Sequence, residues 1–254
     1  MKSIKVILIL IVATISLLSC KEEKPKKKVT KKTEQVEKVI TPKKIIKPDV
    51  LLSLNDYKSK IKNTNIKIVD ADFGEALHFD GEDKNYLILK TPKLTNKSSY
   101  TINFNFSINE KNFNKNNTLI NLLDFKNSKG SYGKTLLSLW FSKRRISAYQ
   151  NGKDLRKQGE IIDRKGFSEE FLTSQELDFG QTYNLTYAYR PGTVKIYIDG
   201  ELYSQYNNVK PANRTAIELL IGKTWSNNKS INNFIGEIGE IKIYNKFLEP
   251  KQIQ

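Results

Sequence analysis

Glu237 and Glu240 are the carboxylates whose spacing comes closest to an acid–base pair. Two carboxylates about 5.5 Å apart on one face can act as nucleophile and acid on a glycosidic bond. The pair stands three residues apart in IGEIGEIKIY, which alternates like a β-strand and therefore sends successive side chains to opposite faces. Unless a β-bulge intervenes, the two side chains are expected on opposite faces, where they cannot share a substrate.

The chain holds one histidine and one cysteine, which excludes a His-cluster zinc site, a multi-cysteine metal site and a disulfide scaffold. His78 lies between Leu77 and Phe79 in an alternating segment. We predict a strand histidine that faces solvent or bonds a neighbour, because the partners of a catalytic base are missing. No catalytic residue is predicted.

Aromatic rings beside amides favour binding without catalysis, because a sugar offers an apolar C–H face and hydroxyl groups. In TLLSLWFS, Trp140 shares a face with Ser138 and is predicted to point away from the core, as Asn103 and Asn105 do on their own strand. A minor core under a loop is the alternative for Trp140. The ligand-binding candidates are Trp140, Trp225, Asn103, Asn105, Tyr149, Asn227 and Asn228.

The first 19 residues have the pattern of a signal peptide, with Lys2 and Lys5 followed by an apolar run. The run is interrupted by polar residues, which makes a permanent membrane-spanning helix the weaker interpretation. The segment Leu17-Leu18-Ser19-Cys20 resembles the lipobox of bacterial lipoproteins, which implies that Cys20 is lipidated and holds the mature protein on a membrane.

Residues 20–49 are rich in lysine and are predicted to form a flexible tether, because they contain too few large apolar residues to bury a core. Half of the formal net charge of +16 lies in the first 49 residues. A basic run also fits nucleic acid, but without aromatic residues to stack bases we favour a solvated spacer and predict no nucleic-acid partner. Lys21-Glu22-Glu23 is similar to the signal that sends some Gram-negative lipoproteins to the outer face of the outer membrane.

Residues 50–254 alternate with a period of two, which predicts an all-β domain. Asp199-Gly200 is a two-residue hairpin turn in which both residues take positive φ, and LEPKQI is a short helical turn. The predicted strands are Ala76–Phe79, Tyr86–Leu89, Tyr100–Asn109, Leu119–Phe125, Thr135–Phe141, Arg145–Tyr149, Tyr183–Tyr189, Thr193–Ile198, Ile217–Ile221 and Ile235–Tyr244.

The motifs ALHFDG, YTINFNFSI, TVKIYIDGELY, LLIG and FIGEIGEIKIYNKFLEPKQI occur in this order in the chain. In this order they resemble the LamG-like jelly-roll domains of the concanavalin A-like lectin/glucanase superfamily. The resemblance implies a two-sheet antiparallel jelly-roll sandwich. Two positions depart from the family pattern, since Gly239 and Asn85 stand where acidic residues are usual.

The same resemblance implies a structural Ca²⁺, a hard cation that takes oxygen ligands. Asp80 and Glu240 occupy plausible ligand positions. The alternative is that Asp80 only caps the turn before Gly81.

We therefore expect a lipid-anchored protein on the cell surface of a Gram-negative bacterium, carrying a non-catalytic domain that binds carbohydrate. A protein-binding adhesion or assembly module on the same fold is the second hypothesis, and a glycoside hydrolase or polysaccharide lyase is the third.

Overall fold

Each of the ten strands predicted from alternation is present in the computed structural model. The structure describes residues 45–58, 60–61, 64–83, 85–109, 116–124, 135–142, 145–150, 153–155, 160–164, 176–209, 213–223 and 231–253. Within these residues, six further strands are absent from the list predicted from alternation: Val50–Leu52, Lys67–Ala71, Lys153–Asp154, Glu160–Arg164, Glu201–Val209 and Ile231–Asn233. Of these, only Glu201–Val209 is implied by the sequence, as the second arm of the Asp199-Gly200 hairpin.

The first half of the described chain contains a short helix, α1 (Leu54–Lys58), and eight strands. The strands are β1 (Val50–Leu52), β2 (Lys67–Ala71), β3 (Gly74–Asp80), β4 (Leu87–Thr95), β5 (Tyr100–Ile108), β6 (Asn116–Leu123), β7 (Leu137–Ser142) and β8 (Arg145–Gln150).

The second half contains eight further strands and ends in a 3-10 helix, Pro250–Gln252, here called the C-terminal helix. The strands are β9 (Lys153–Asp154), β10 (Glu160–Arg164), β11 (Thr182–Arg190), β12 (Gly192–Ile198), β13 (Glu201–Val209), β14 (Thr215–Ile221), β15 (Ile231–Asn233) and β16 (Ile235–Tyr244).

The strands form two sheets, which confirms the predicted all-β sandwich. The nine-stranded sheet has the order β10-β13-β12-β11-β5-β16-β3-β2, and β1 also pairs with β16. The seven-stranded sheet has the order β4-β14-β6-β7-β8-β9, and β15 also pairs with β6. All of these pairings are antiparallel except β15 with β6.

The hydrophobic core lies between the sheets, and aromatic rings join its two sides. Phe106 of β5 packs against Phe141 of β7, with ring centroids 5.6 Å apart. Phe141 stacks on Phe234 at 6.1 Å, and Phe234 meets Phe79 of β3 edge-on at 6.0 Å. Because alternate residues of β5 enter this core, the polar residues between them must face outward.

Two predicted turns are confirmed by backbone geometry. Asp199 and Gly200 have φ of 51° and 81° between β12 and β13. This left-handed geometry matches the twist of the flanking strands, which is why Asp-Gly is favoured there. The C-terminal helix begins with Pro250 at a first-turn position, as LEPKQI predicts.

The folded unit begins before Val50 and includes residues expected in the tether. The N–H of Ile46 donates to the carbonyl of Gln252 at 3.0 Å. The N–H of Asn245 donates to Asp49 Oδ2 at 2.6 Å. Lys43–Gln254 is one compact unit. No helix among the described residues has the length and apolar character needed to cross a membrane.

Candidate functional site

Three asparagine side chains form a directed hydrogen-bond chain on the outer face of the nine-stranded sheet. Asn103 of β5 donates from Nδ2 to Asn184 Oδ1 at 2.8 Å and to Thr186 Oγ1 at 2.9 Å. Asn184 of β11 donates from Nδ2 to Asn105 Oδ1 at 2.7 Å. The direction of the chain follows from the carbonyl of Leu185, which can only accept and lies 3.2 Å from Asn103 Nδ2.

The two ends of this chain have no hydrogen-bond partner among the described residues. Asn103 Oδ1 accepts no hydrogen bond from any described residue, although Asn103 is only 5% exposed. At the other end, Asn105 Nδ2 has no acceptor among the described residues. The chain therefore leaves an acceptor on Asn103 and a donor on Asn105, two residues apart on β5.

The amide chain lines a cavity of about 310 Å³ that opens on this face. A second cavity of about 160 Å³ adjoins it and shares Asn103, Asn184 and Lys242. We call the two together the amide groove. The polar lining of the larger cavity consists of three amides and three charged groups: Asn103, Asn105, Asn184, Glu75, Glu240 and Lys242.

Segments from both ends of the domain form the walls of the amide groove. Leu54 at the start of α1 and Phe73 in the turn between β2 and β3 line the larger cavity. The helix start is fixed because the N–H and hydroxyl of Ser53 both donate to Asp56 Oδ2, at 3.0 Å and 2.9 Å. Pro250 of the C-terminal helix lines the smaller cavity.

Polar contacts hold the C-terminal segment against the nine-stranded sheet. Thr101 donates to the carbonyl of Lys246 at 2.7 Å and accepts from the N–H of Leu248 at 2.9 Å. Lys195 lies 3.0 Å from Glu249, and its hydrogen bond lowers the pKa of that carboxyl. This wall of the groove is thus fixed by side chains of β5 and β12.

A β-bulge corrects the expectation that Glu237 and Glu240 face opposite sides. Ile238 pairs with Phe106 and Ile241 with Phe104, so three steps along β16 match two steps along β5. The extra residue brings Glu240 to the outer face, where Glu237 already lies beside Ser107. The two carboxylates share a face, but only Glu240 lines the cavity.

Glu237 is engaged by two neighbours. His78 Nδ1 lies 2.8 Å from Glu237 Oε1. The hydroxyl of Ser107 donates to Glu237 Oε2. The prediction that His78 bonds a neighbouring residue is confirmed, and the neighbour is this carboxylate.

Asp80 caps a turn, as the alternative to a metal site predicts. Its Oδ1 accepts from the N–H of Glu82 at 2.9 Å and from Asn85 Nδ2 at 2.7 Å. In the same turn the carbonyl of Gly81 accepts from Asn233 Nδ2 at 3.1 Å. Asp80 Oδ1 and the carbonyl of Gly81 are therefore satisfied by protein donors.

Asp80 and Glu240, the two expected calcium ligands, do not lie side by side on the sheet. Asp80 pairs with Ile235, five residues before Glu240 on β16. Because of the bulge, about four strand steps, roughly 13 Å, separate the two positions along β16. Within the described ranges no three His, Cys, Asp or Glu side chains cluster as metal ligands. Calcium at the Asp80 turn alone stays a prediction.

Trp140 and Tyr149 lie on the opposite side of the sandwich, on the outer face of the seven-stranded sheet. Their ring centroids are 5.8 Å apart. Trp140 lies outside the main hydrophobic core, which contains Leu139 and Phe141 of the same strand. Only 5% of Trp140 is exposed, which fits the alternative of a minor core and not an open sugar platform. Asn103 and Asn105 therefore cannot share a ligand with these rings. Cys20, Trp225, Asn227 and Asn228 lie outside the described residues.

The amide groove also contains four residues that were not predicted from the sequence: Asn184, Phe73, Glu75 and Lys242. Asn184 could have been placed on the outer face from the sequence, because Thr182, Asn184 and Thr186 alternate with apolar residues in TYNLTYAYR. Phe73 could not, because a turn residue belongs to no periodic pattern.

Comparison with known proteins agrees with the sandwich. The fourth domain of AbnA, a GH43 extracellular arabinanase from Geobacillus stearothermophilus solved in complex with arabinotriose, has a TM-score of 0.55 at 17% identity, with 81% of this chain and 96% of that domain covered. The receptor-binding domain of botulinum neurotoxin D has a TM-score of 0.51 at 16% identity, with 73% and 43% covered.

A serotype D ligand-binding domain in complex with N-acetylneuraminic acid has a TM-score of 0.50 at 13% identity, with 75% of this chain covered. This chain spans 43% of both neurotoxin domains. A search of curated proteins found no match. The family model described as the concanavalin A-like lectin/glucanases superfamily matches residues 80–254. The chain belongs to the concanavalin A-like lectin/glucanase superfamily.

Proposed function

We propose that this domain binds carbohydrate in the amide groove without cleaving it. The carrying observation is the directed amide chain, which leaves Asn103 Oδ1 as an acceptor and Asn105 Nδ2 as a donor in a cavity of about 310 Å³. Sugar hydroxyls both donate and accept, so a neighbouring acceptor and donor suit them. The cavity has the size of small-ligand pockets. Two structural neighbours, named above, were solved with sugars bound.

Binding without cleavage is supported by the positions of Glu237 and Glu240, the two carboxylates whose spacing comes closest to that of an acid–base pair. Glu237 is engaged by His78 and Ser107 and does not line the cavity that Glu240 lines. Hydrolysis needs both carboxylates at one glycosidic bond.

Replacing Asn184 by Ala should weaken glycan binding about thirtyfold. The change removes the links that orient Asn103 and Asn105, each worth about 1 kcal/mol. The measurement is isothermal titration of the full chain with the glycan that binds best on an array containing arabinotriose and N-acetylneuraminic acid. Asn207→Ala, on β13 outside the amide groove, is the matched control and should bind like the unmodified protein. Equal affinities of the Asn184→Ala variant and the control would show that the glycan binds outside the amide groove.

A protein-binding module is the second candidate. It is favoured by the outer face of the seven-stranded sheet, where Asn121, Ser138 and Trp140 are buried, so that the ring of Trp140 is not offered to a sugar. A domain that binds no array glycan but captures a defined surface protein would support this candidate.

We also propose that Cys20 anchors the protein to the outer membrane, at the cell surface. The support is the signal-peptide pattern and the Leu17-Leu18-Ser19-Cys20 segment. Cys20→Ser should abolish labelling by a radioactive fatty acid and move the protein out of the detergent phase, because that thiol is the only acylation site expected. Labelling that persists in the variant would refute the anchor.

A further inference from the structure

Phe73 is an aromatic residue at a position where the local structure does not favour one. It lies in the two-residue turn between β2 and β3, where Gly, Asn, Asp, Ser and Pro are the usual residues. It is half-buried, yet the described hydrophobic core does not include it. Instead its ring lines the amide groove. Packing of the sandwich therefore does not explain this side chain.

Gly239 lets the ring of Phe73 lie against the bulge of β16. A Cβ atom on residue 239 would lie 2.9 Å from Phe73 Cε2 and 3.2 Å from Cδ2, closer than ordinary contacts. The backbone of Gly239 is not in the left-handed region, so the conformation itself does not demand glycine. The missing side chain thus serves the close approach of the ring, which places an aromatic surface beside Asn105.

The charged groups around the ring carry a net negative charge. Glu75 and Glu240 line the larger cavity with one cation, Lys242. Carboxylates accept hydrogen bonds from sugar hydroxyls, and these charge-assisted bonds are the stronger kind. An anionic sugar would instead meet like charge, which disfavours its binding.

We propose that Phe73 is the platform on which a sugar ring stacks, and that the amide groove selects uncharged sugars over anionic ones. The proposal rests on the carbohydrate binding proposed above and names its ligand class. The apolar face of an uncharged sugar rests on the ring of Phe73. Its hydroxyls reach Glu75, Glu240 and the free amide atoms of Asn103 and Asn105.

The platform is tested by Phe73→Ala in the full chain, on an array of neutral oligosaccharides that includes arabinotriose. We expect binding to weaken about tenfold, since the ring supplies the stacking surface. Phe247→Ala is the matched control: Phe247 is also half-buried, but its ring lies under Arg190 and Lys195 instead of lining the amide groove. This control should keep its binding. Phe73→Leu serves if the alanine variant does not fold, because it retains apolar bulk without a ring.

The charge selection is tested by comparing the same array with acidic glycans that include N-acetylneuraminic acid. The unmodified chain should prefer the neutral set, and Glu75→Gln with Glu240→Gln should reduce that preference about tenfold. If the Phe73→Ala and Phe73→Leu variants bind neutral oligosaccharides as tightly as the unmodified chain, Phe73 is not the stacking platform, although the domain still binds carbohydrate. A preference for acidic glycans would overturn the selection. Failure of the unmodified chain to bind any array glycan would overturn the proposed function itself.

Discussion

Raising the pH from 9 to 12 should unfold the domain, with stability falling by about 4 kcal/mol for each pH unit above 10. The groups responsible are Tyr57, Tyr100 and Tyr187, all fully buried. Burial, the largest cause in each case, raises the pKa of all three phenols above the ordinary value. In the folded state they therefore hold their protons under conditions in which the unfolded chain loses them.

The direction of the pH dependence of stability follows from this difference in protonation. The stabilisation is complete below pH 10, where both states are protonated, and it is lost as the pH rises further, because only the unfolded chain releases protons. Each of the three tyrosines lowers the free energy of unfolding by about 1.4 kcal/mol per pH unit. Between pH 10 and pH 12 the three together lower it by about 8 kcal/mol. That is comparable with the whole stability of an ordinary domain.

Urea unfolding followed by circular dichroism at pH values from 8 to 12 measures this slope. Tyr57→Phe keeps the packed ring and removes one ionisable group, so its slope should be about one third shallower. A stability that stays flat to pH 12 would show that the phenols ionise in the folded state.

Replacing Gln150 by Ala should destabilise the domain by about 3–5 kcal/mol. Gln150 ends β8 of the seven-stranded sheet and is 0% exposed. Its Oε1 accepts from Tyr100 at 3.1 Å and from Tyr187 at 2.5 Å, and both tyrosines belong to the nine-stranded sheet. The change would leave two buried hydroxyls without this acceptor and open a cavity between the sheets.

Urea denaturation of the variant and of Gln205→Ala, a change on the partly exposed side of β13, separates this effect from a generic loss of glutamine. The control should lose less than about 1 kcal/mol. Adding Tyr187→Phe to Gln150→Ala should recover part of the loss, because one unpaired hydroxyl disappears. A cost for Gln150→Ala no larger than that of the control would mean that the two sheets do not depend on this contact.

The sequence by itself determined which side chains of a strand face outward and where several turns lie. Phe104 enters the core and Asn103 and Asn105 face away, because successive residues of a strand alternate and burial of Phe104 fixes the choice. Asp199-Gly200 turns the chain because these residues tolerate positive φ. These properties depend on a few neighbouring residues, so a single sequence contains them.

Only the tertiary structure decided which outward-facing residues meet. Asn105 and Asn184 are 79 residues apart in the chain and share a hydrogen bond because β5 and β11 are neighbours in the sheet. Alternation assigns a residue to a face but does not name the adjacent strand, which depends on how the whole core is buried.

The sequence left the bulge of β16 and the burial of Trp140 as open alternatives for the same reason. One extra residue opposite β5 moved Glu240 to the face of Glu237 and reversed an expectation based on strict alternation. Trp140 faces away from the main core as its position requires, yet it is buried, because exposure depends on what the rest of the chain places over a face.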